Sequence, residues 1–423
     1  MIVPWKHQQT ISKQAAEIIK EHMIVYLAME ERTGKSLTAL LIAEELSVQS
    51  VLIITKKKAL EGWVELLAQY DTTKDITLIN YHMAWKKSAK YDLVILDESH
   101  NYISSYPKIG SSSEQLKEQR KKDLPNKNIY DAVGRLCISK PIIYLSATPY
   151  AQGPQLLYHQ LSISSWSPFK AYTNFYNWFR QFGKPYTIEV RGRQVQQYDR
   201  CNSDMIVGCC EHLFITKTRK ELDFVHDPVD ELHYIDLSED TKKMYNELMK
   251  EKLVFLDEFH EPLICDTMMK LRVSLHMLEG GVAKIDTVEN GKIKANYLVL
   301  ANDEKIQHIL STFNDNPSLV IMYNYKAELT KLQVHFKHAQ LLQATSYAEG
   351  VDLSGYKDLV IYSQDYSTAR HTQRRARQCN KNRDLPIVIH YLLVKKAISH
   401  QVYQTVSVNK RNFVDSVFEQ EAI

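Results

Sequence analysis

Along the first half of the chain, apolar residues gather into short unbroken runs, each closed by polar or charged positions. Continuous runs, unlike alternating ones, are expected of strands buried on both faces of a parallel sheet. They occupy residues 23–29, 51–55, 93–96 and 142–145, and residues 76–81 read as a further strand that ends in polar residues. Between them lie segments with helical spacing: Ala15, Ile18 and Ile19, then Leu37, Leu40, Leu41 and Ala43, then Trp63, Leu66 and Leu67. Strand and helix patterns in alternation predict an α/β fold built on parallel sheets.

The residues that close each run carry candidate chemistry. The first run gives way to Glu30-Glu31-Arg32-Thr33-Gly34-Lys35-Ser36, where a helix begins. A Gly-Lys-Ser turn between a buried strand and a helix is the setting of a phosphate-binding loop. N–H groups at the helix start attract phosphate oxygens, Lys35 reaches the β/γ-phosphates, and the Ser36 hydroxyl ligates Mg²⁺. The first glycine of the G-x-x-x-x-G-K-[ST] pattern is Met29 here, so a plain βα turn stands beside the nucleotide reading. Upstream, Gln8 either reads an adenine edge with its amide or sits solvated at a helix start. Residues 93–96 deliver Asp97 and Glu98 to a strand end, where the aspartate can hold Mg²⁺ and the glutamate can polarise an attacking water. Thr55, Lys56 and Lys57 close the second run and Asn80 the 76–81 strand, at the edge where open α/β sheets bind ligands and phosphates are met. Three lysines in a row also read as a solvated turn. Ser146-Ala147-Thr148-Pro149 ends the last run with hydroxyls able to sense the carboxylates by hydrogen bonding.

A length of 423 residues exceeds what one core usually supports and predicts two domains. A formal charge of +3 neither requires nor excludes nucleic acid, so the distribution of charge must decide. No secretory pattern or membrane-spanning run is present, which predicts a cytoplasmic protein. Six cysteines without a C-x-x-C pair suggest a reducing compartment. Cys201, Cys209, Cys210 and His212 lie close enough in sequence to raise zinc, although buried thiols are the simpler reading. Residues 101–128 form a polar, Lys/Arg-rich excursion, either a solvated insertion or a nucleic-acid contact. Tyr172, Phe175, Tyr176 and Phe179 share one helical face, for core packing or for stacking on bases. Residues 187–198 read as a hairpin with Arg191-Gly192-Arg193 at its turn. Finally, Arg370, Arg374, Arg375, Arg377, Lys381 and Arg383 fall within one stretch that contains no acid, which gives it a claim on anions.

Taken in order, these segments resemble the motifs of superfamily 2 helicases. Thr33-Gly34-Lys35-Ser36, Asp97-Glu98-Ser99-His100 and Ser146-Ala147-Thr148-Pro149 resemble motifs I, II and III. Within that group the chain is similar to the Swi/Snf-type DNA translocases and their short phage or prokaryotic forms. The segment from the second run to Trp63 resembles motif Ia, Asn80-Tyr81 motif Ic, and residues 213–220 the basic stretch before the second lobe. Residues 237–245 and Lys270-Leu271-Arg272 resemble helices of that lobe. Residues 318–323, 344–353 and 373–378 resemble motifs IV, V and VI, and residues 387–394 the closing strand. Two features depart from the family: Arg32 stands where glycine is common, and Gln373 lies closer than usual to the arginines.

The resemblance implies two tandem RecA-like lobes with small helical and hairpin insertions. Lobe 1 would span residues 1–160, an aromatic-rich insertion and linker 161–220, and lobe 2 residues 221–423. It implies ATP and Mg²⁺ as cofactors, bound through Gln8, Thr33, Gly34, Lys35, Ser36, Gly350 and Asp352, with Ser36 and Asp97 on the metal. Arg374 and Arg377 would act with Lys35, Asp97 and Glu98 as arginine fingers on the transferring phosphoryl group. Thr55, Lys56, Lys57, Asn80, Thr345 and Ser346 would hold the DNA backbone without reading sequence. The implied protein is a monomeric, membrane-free, ATP-dependent DNA translocase or helicase on duplex or branched DNA. It would work beside replication, recombination or repair proteins. Two other readings are an RNA-directed helicase, and a nucleotide-dependent clamp with little turnover, the latter motivated by Arg32.

Overall fold

Every apolar run named above forms a strand. The computed structural model describes residues 2–409 except 89, 104–127, 151–152, 191–192, 199, 257–261, 290–291, 345–352, 382 and 384. The chain divides into two units, Met1–Asp223 and Phe224–Ile423. In the first, the strands are β1 (Ile24–Met29), β2 (Ser50–Thr55), β3 (Asp75–Asn80), β4 (Leu93–Asp97), β5 (Ile142–Leu145), β6 (Tyr186–Val190), β7 (Arg193–Gln197) and β8 (Phe214–Lys217). Six of them make one sheet in the order β3-β2-β4-β5-β1-β8, with every pair parallel. β6 and β7 form the expected antiparallel hairpin, whose residues 191 and 192 lie outside the described ones. So does most of the 101–128 segment.

The absence of alternation has a direct cause. Tyr26, Leu52, Val94 and Tyr144 face one core, while Val25, Leu27, Ile53 and Ile95, on the opposite face, have no exposed surface either. A sheet covered on both sides selects apolar residues at every position. Across the sheet, Tyr26 stacks on its register partners Tyr144 and Phe214, with ring centroids 5.1 and 4.7 Å apart. Such cross-strand aromatic pairs stabilise the alignment of β5, β1 and β8.

Residues 161–220 are not a separate body. Phe169, Trp178, Phe179, Phe182 and Ile206 belong to the same core as Tyr26 and Leu96. Trp178 is wholly buried in the helix Phe175–Phe182 and stacks on Phe175 and Phe182. Core packing, rather than base stacking, is what this aromatic face does, and only Tyr176 of the four predicted positions is exposed. Nearby, Cys210 donates its thiol to the Ile206 carbonyl, and burial pushes it up to about 12.

The second unit is also an α/β lobe built on a parallel sheet. Its strands are β9 (Val229–Tyr234), β10 (Leu253–Val254), β11 (Leu263–Ile264), β12 (Val282–Glu289), β13 (Lys292–Val299), β14 (Leu319–Tyr323), β15 (Gln340–Gln343), β16 (Asp358–Ile361) and β17 (Val388–Leu393). The main sheet runs β15-β14-β16-β17-β9, parallel throughout. Leu319, Ile321 and Val360 face one core, and Val320, Met322 and Ile361 face another. An ionic network lies inside this lobe. Lys305, 1% exposed, donates to the Tyr362 carbonyl at 2.9 Å and lies between the charges of Glu279 and Glu328. Glu328 caps the helix Lys326–His335 by accepting from the Asn324 and Tyr325 N–H groups and from the Ser363 hydroxyl. Burial pushes Glu328 up to about 7, against the pull of those hydrogen bonds and of Lys305.

Two outcomes follow for stability. All five tryptophans lie in the first lobe, so their fluorescence reports on it alone. Trp178→Ala should lower that lobe's unfolding free energy by about 3–5 kcal/mol in urea titrations, and an unchanged midpoint would mean that the aromatic segment folds separately. In the second lobe, Glu328 keeps its proton in the fold from an ordinary 4.5 up to about 7. Its contribution is therefore full below pH 4.5 and lost as the pH rises through 7. Calorimetry of wild type and Glu328→Gln should show the difference changing across that window, in favour of the variant at higher pH.

Candidate functional site

The helix before β1, α1, covers Lys6–His22, and residues 30–34 join β1 to the helix α2, Lys35–Glu45. Gly34 has φ +82°, a left-handed conformation that suits glycine. A Cβ there would also lie 2.3 Å from the Gln8 amide nitrogen. Gln8 is neither solvated nor loosely placed. It is 2% exposed, donates to the Gly34 carbonyl at 3.0 Å and accepts from the Trp5 N–H at 2.8 Å. Its amide thus fixes the loop's height above the sheet. Thr33 closes the loop by donating to the Glu30 carbonyl at 2.7 Å. Lys35 donates to the Met29 and Glu30 carbonyls, each at 2.8 Å. Burial pulls the Lys35 ammonium down, while Glu31, Glu98 and Asp97 hold it up. Ser36 follows it, half-buried in the first turn of α2, where backbone N–H groups lack helical partners. Arg32 adopts φ +65°, so an L-residue occupies the left-handed position at a cost of about 1 kcal/mol.

β5 lies between β1 and β4, and therefore its own end emerges between the loop and the carboxylates. Asp97 accepts from the Thr55 hydroxyl at 2.7 Å and from the Trp63 indole N–H at 3.0 Å. Trp63 belongs to the helix α3, Leu60–Gln69. Burial, then the neighbouring Glu98, raises the Asp97 carboxyl above its ordinary range, with Lys56 opposing. Glu98, at φ +52°, accepts from Ser146 at 3.3 Å and lies 3.4 Å from His100 Nδ1. The Ser146 hydroxyl also meets His100 at 3.0 Å and accepts from the Thr148 N–H. The expected hydroxyl contact to the carboxylates is made. Two adjacent carboxylates beside a lysine and a helix start are a donor set suited to a hydrated divalent cation and a polyphosphate.

Several groups of this site were given no contact role by the sequence. Gln160 is fully buried, accepts from Tyr26 and Ser99 at 2.8 Å each, and donates to the Pro149 carbonyl. It joins β1, the segment after Asp97 and the end of β5. The Tyr81 hydroxyl donates to the Asp97 carbonyl. Arg219, two residues beyond β8, donates its N–H to Glu30 and lies 3.6 Å from the Glu31 carboxylate. Trp63 was visible in the chain as a helical apolar residue and as the end of the motif Ia-like segment, not as a partner of Asp97.

The DNA-facing expectation divides. Thr55 is wholly buried and Lys56 8% exposed. β2 pairs with β4, so the hydroxyl at the end of one strand meets the carboxylate at the end of the other, and Thr55 is a support for Asp97 rather than a surface contact. Lys57 is exposed and Asn80 half-buried. Thr345, Ser346, Gly350 and Asp352 lie outside the described residues.

In the second lobe the acid-free arginine stretch is compensated by acids that lie outside it. Arg374, 2% exposed, lies 3.0 Å from Asp365, which also takes Arg370 at 3.1 Å. Arg375 donates to Asp230 and to the Pro228 carbonyl. Arg383 donates to the Leu385, Ser354 and Pro386 carbonyls. Arg377 is half-buried in the turn Ala376–Gln378. The stretch is thus an internal brace more than a bare cationic surface.

No protein-family model matches this sequence, and no curated protein does. Among solved structures, the chain is similar to the Sulfolobus solfataricus SWI2/SNF2 ATPase core in complex with dsDNA. The identity is 12% and the TM-score 0.40, over 95% of this chain and 90% of that one. It is also similar to the Sulfolobus solfataricus SWI2/SNF2 ATPase core domain, at 12% identity and a TM-score of 0.38, over 98% of this chain and 92% of that one. Among the described residues, no helix is long and apolar enough to cross a membrane.

Gly34→Ala tests how tightly the loop is set. The left-handed backbone costs about 1–2 kcal/mol for alanine, and the Gln8 amide must move besides. Tryptophan-fluorescence melts should show at least that loss, and Gln8→Ala in the same chain should not restore wild-type stability.

Proposed function

We propose that this chain is an ATP hydrolase that couples turnover to movement on DNA. What carries the reading is the assembly of Lys35, Asp97 and Glu98 at one sheet edge, with Ser146 bonded to the glutamate. Thr33, Gly34 and Lys35 would cradle the triphosphate, and Ser36 and Asp97 would hold Mg²⁺. When bound, that ion neutralises phosphate charge and orients the leaving group. Thr55 and Trp63 fix one Asp97 oxygen, and the other would face the ion. Glu98 takes the proton of the attacking water, and Ser146 and His100 orient its carboxylate. Gln8 sets the loop and is placed to contact a base only through its remaining valences.

By resemblance, Gly350 and Asp352 would serve the ribose or the attacking water, and Arg374 and Arg377 the charge on the phosphoryl group. For Arg374 this means exchanging Asp365 for phosphate oxygens. The DNA partner rests on the order of motifs. Lys57, Asn80, Thr345 and Ser346 are the proposed backbone contacts, which carry no sequence information. A monomer assisted by replication, recombination or repair proteins fits this reading.

One observation favours a second reading, the clamp with little turnover: Lys35 is bonded to its own loop and Arg32 holds a glycine-like conformation. Steady-state phosphate release separates the two. The motor reading expects release that duplex or forked DNA stimulates and RNA does not, and that Glu98→Gln lowers by about 10²–10⁴-fold. Binding of nucleotide without release on any substrate, or release that Glu98→Gln leaves intact, would falsify it.

A further inference from the structure

We propose that the second lobe holds one divalent transition-metal ion of the zinc class on Glu231, His233 and His390. Among the described residues, these three offer ligand atoms within 4.8 Å of one another. Glu231 and His390 are register partners on β9 and β17, and His233 follows on the same face of the edge strand. His233 Nε2 lies 3.0 Å from His390 Nδ1, and the Glu231 carboxylate lies 3.5 Å from the first and 3.6 Å from the second. Two imidazole nitrogens on one tetrahedral zinc ion, at bonds of 2.0–2.1 Å, stand about 3.3 Å apart. The side chains already have nearly that separation.

The outer nitrogens are arranged as they are around bound metals. His233 Nδ1 meets His308 Nε2 at 3.0 Å, and His390 Nε2 faces the Asp358 carboxylate at 3.6 Å. A metal-bound histidine commonly turns its second nitrogen to such a partner, which fixes the ring and raises its basicity. The charges that His390 feels, Glu231 and Asp358, are both negative. Phe313 packs on His390 at 4.6 Å and on His233 at 5.8 Å, an apolar wall that strengthens the interaction. Glu231 is 55% exposed and gives the ion its way in. Without an ion, the three rings make a chain of close nitrogen contacts from His308 through His233 to His390, whose outer nitrogen faces Asp358.

The test uses the full chain, stripped with a chelator and titrated with Co²⁺, whose visible absorption reports its coordination, with Zn²⁺ as competitor. One equivalent should bind with absorption in the four- or five-coordinate range. His390→Ala should abolish it, His308→Ala should weaken it about 10–100-fold, and Glu231→Gln should weaken it measurably. Glu231 is largely exposed, so a metal-free melting temperature equal to that of wild type shows that this variant folds. DNA-stimulated phosphate release should be the same for Glu231→Gln as for wild type. Absence of Co²⁺ absorption in wild type, or absorption that neither His390→Ala nor Glu231→Gln changes, overturns the site.

Discussion

The first lobe depends on one buried amide. Gln160 uses both oxygen lone pairs, on Tyr26 and Ser99, and both N–H groups, on the Pro149 and Leu156 carbonyls. Its own carbonyl accepts from Tyr144. A buried polar group with every valence met rigidifies what it touches, whereas a half-met one is costly. Here it touches the strand before the phosphate-type loop, the segment after Asp97 and Glu98, and the end of β5. The three chain segments that carry the candidate chemistry are therefore held in register by the fold itself.

Electrostatics at that edge work against stability. Asp97 and Glu98 adjoin in a largely buried place, and a buried charge is tolerated only where hydrogen bonds and counter-charges compensate. Thr55, Trp63 and Lys56 compensate Asp97, Ser146 and His100 compensate Glu98, and Arg219 answers Glu30 and Glu31. Strained backbone at Arg32 and Glu98 adds to the cost. Stability is thus given up in one small region while the rest of the lobe is well packed, the pattern expected where a fold makes room for function.

The core strands were legible because a sheet covered on both faces writes itself as unbroken apolar runs. Gly34, Lys35, Asp97 and Glu98 were legible because their types and their places after strands are set locally. Thr55 was misplaced because its direction depends on which strand lies beside it, and β2 neighbours β4 only in three dimensions. The arginine stretch misled in the same way: Asp365 lies five residues before Arg370, outside the stretch, and Asp230 a whole lobe's sequence away from Arg375. His233, His308 and His390 come from two strands and a helix, so no spacing rule joins them. Composition alone set residues 161–220 apart, yet their aromatic rings complete the first lobe's core.

The place of β8 bears on how this protein is made. β1 carries the loop at its end, and one of its two hydrogen-bonding sides is occupied only by β8, whose Phe214 covers the Tyr26 ring. A chain emerging from the ribosome has β1 long before it has β8, and an unpaired strand edge is a template for wrong partners. Throughout most of the first lobe's translation, the nascent chain is open along the strand that bears its most sensitive turn. Rapid closure of the aromatic segment onto that edge, or a chaperone holding it meanwhile, is the condition for efficient production of the whole.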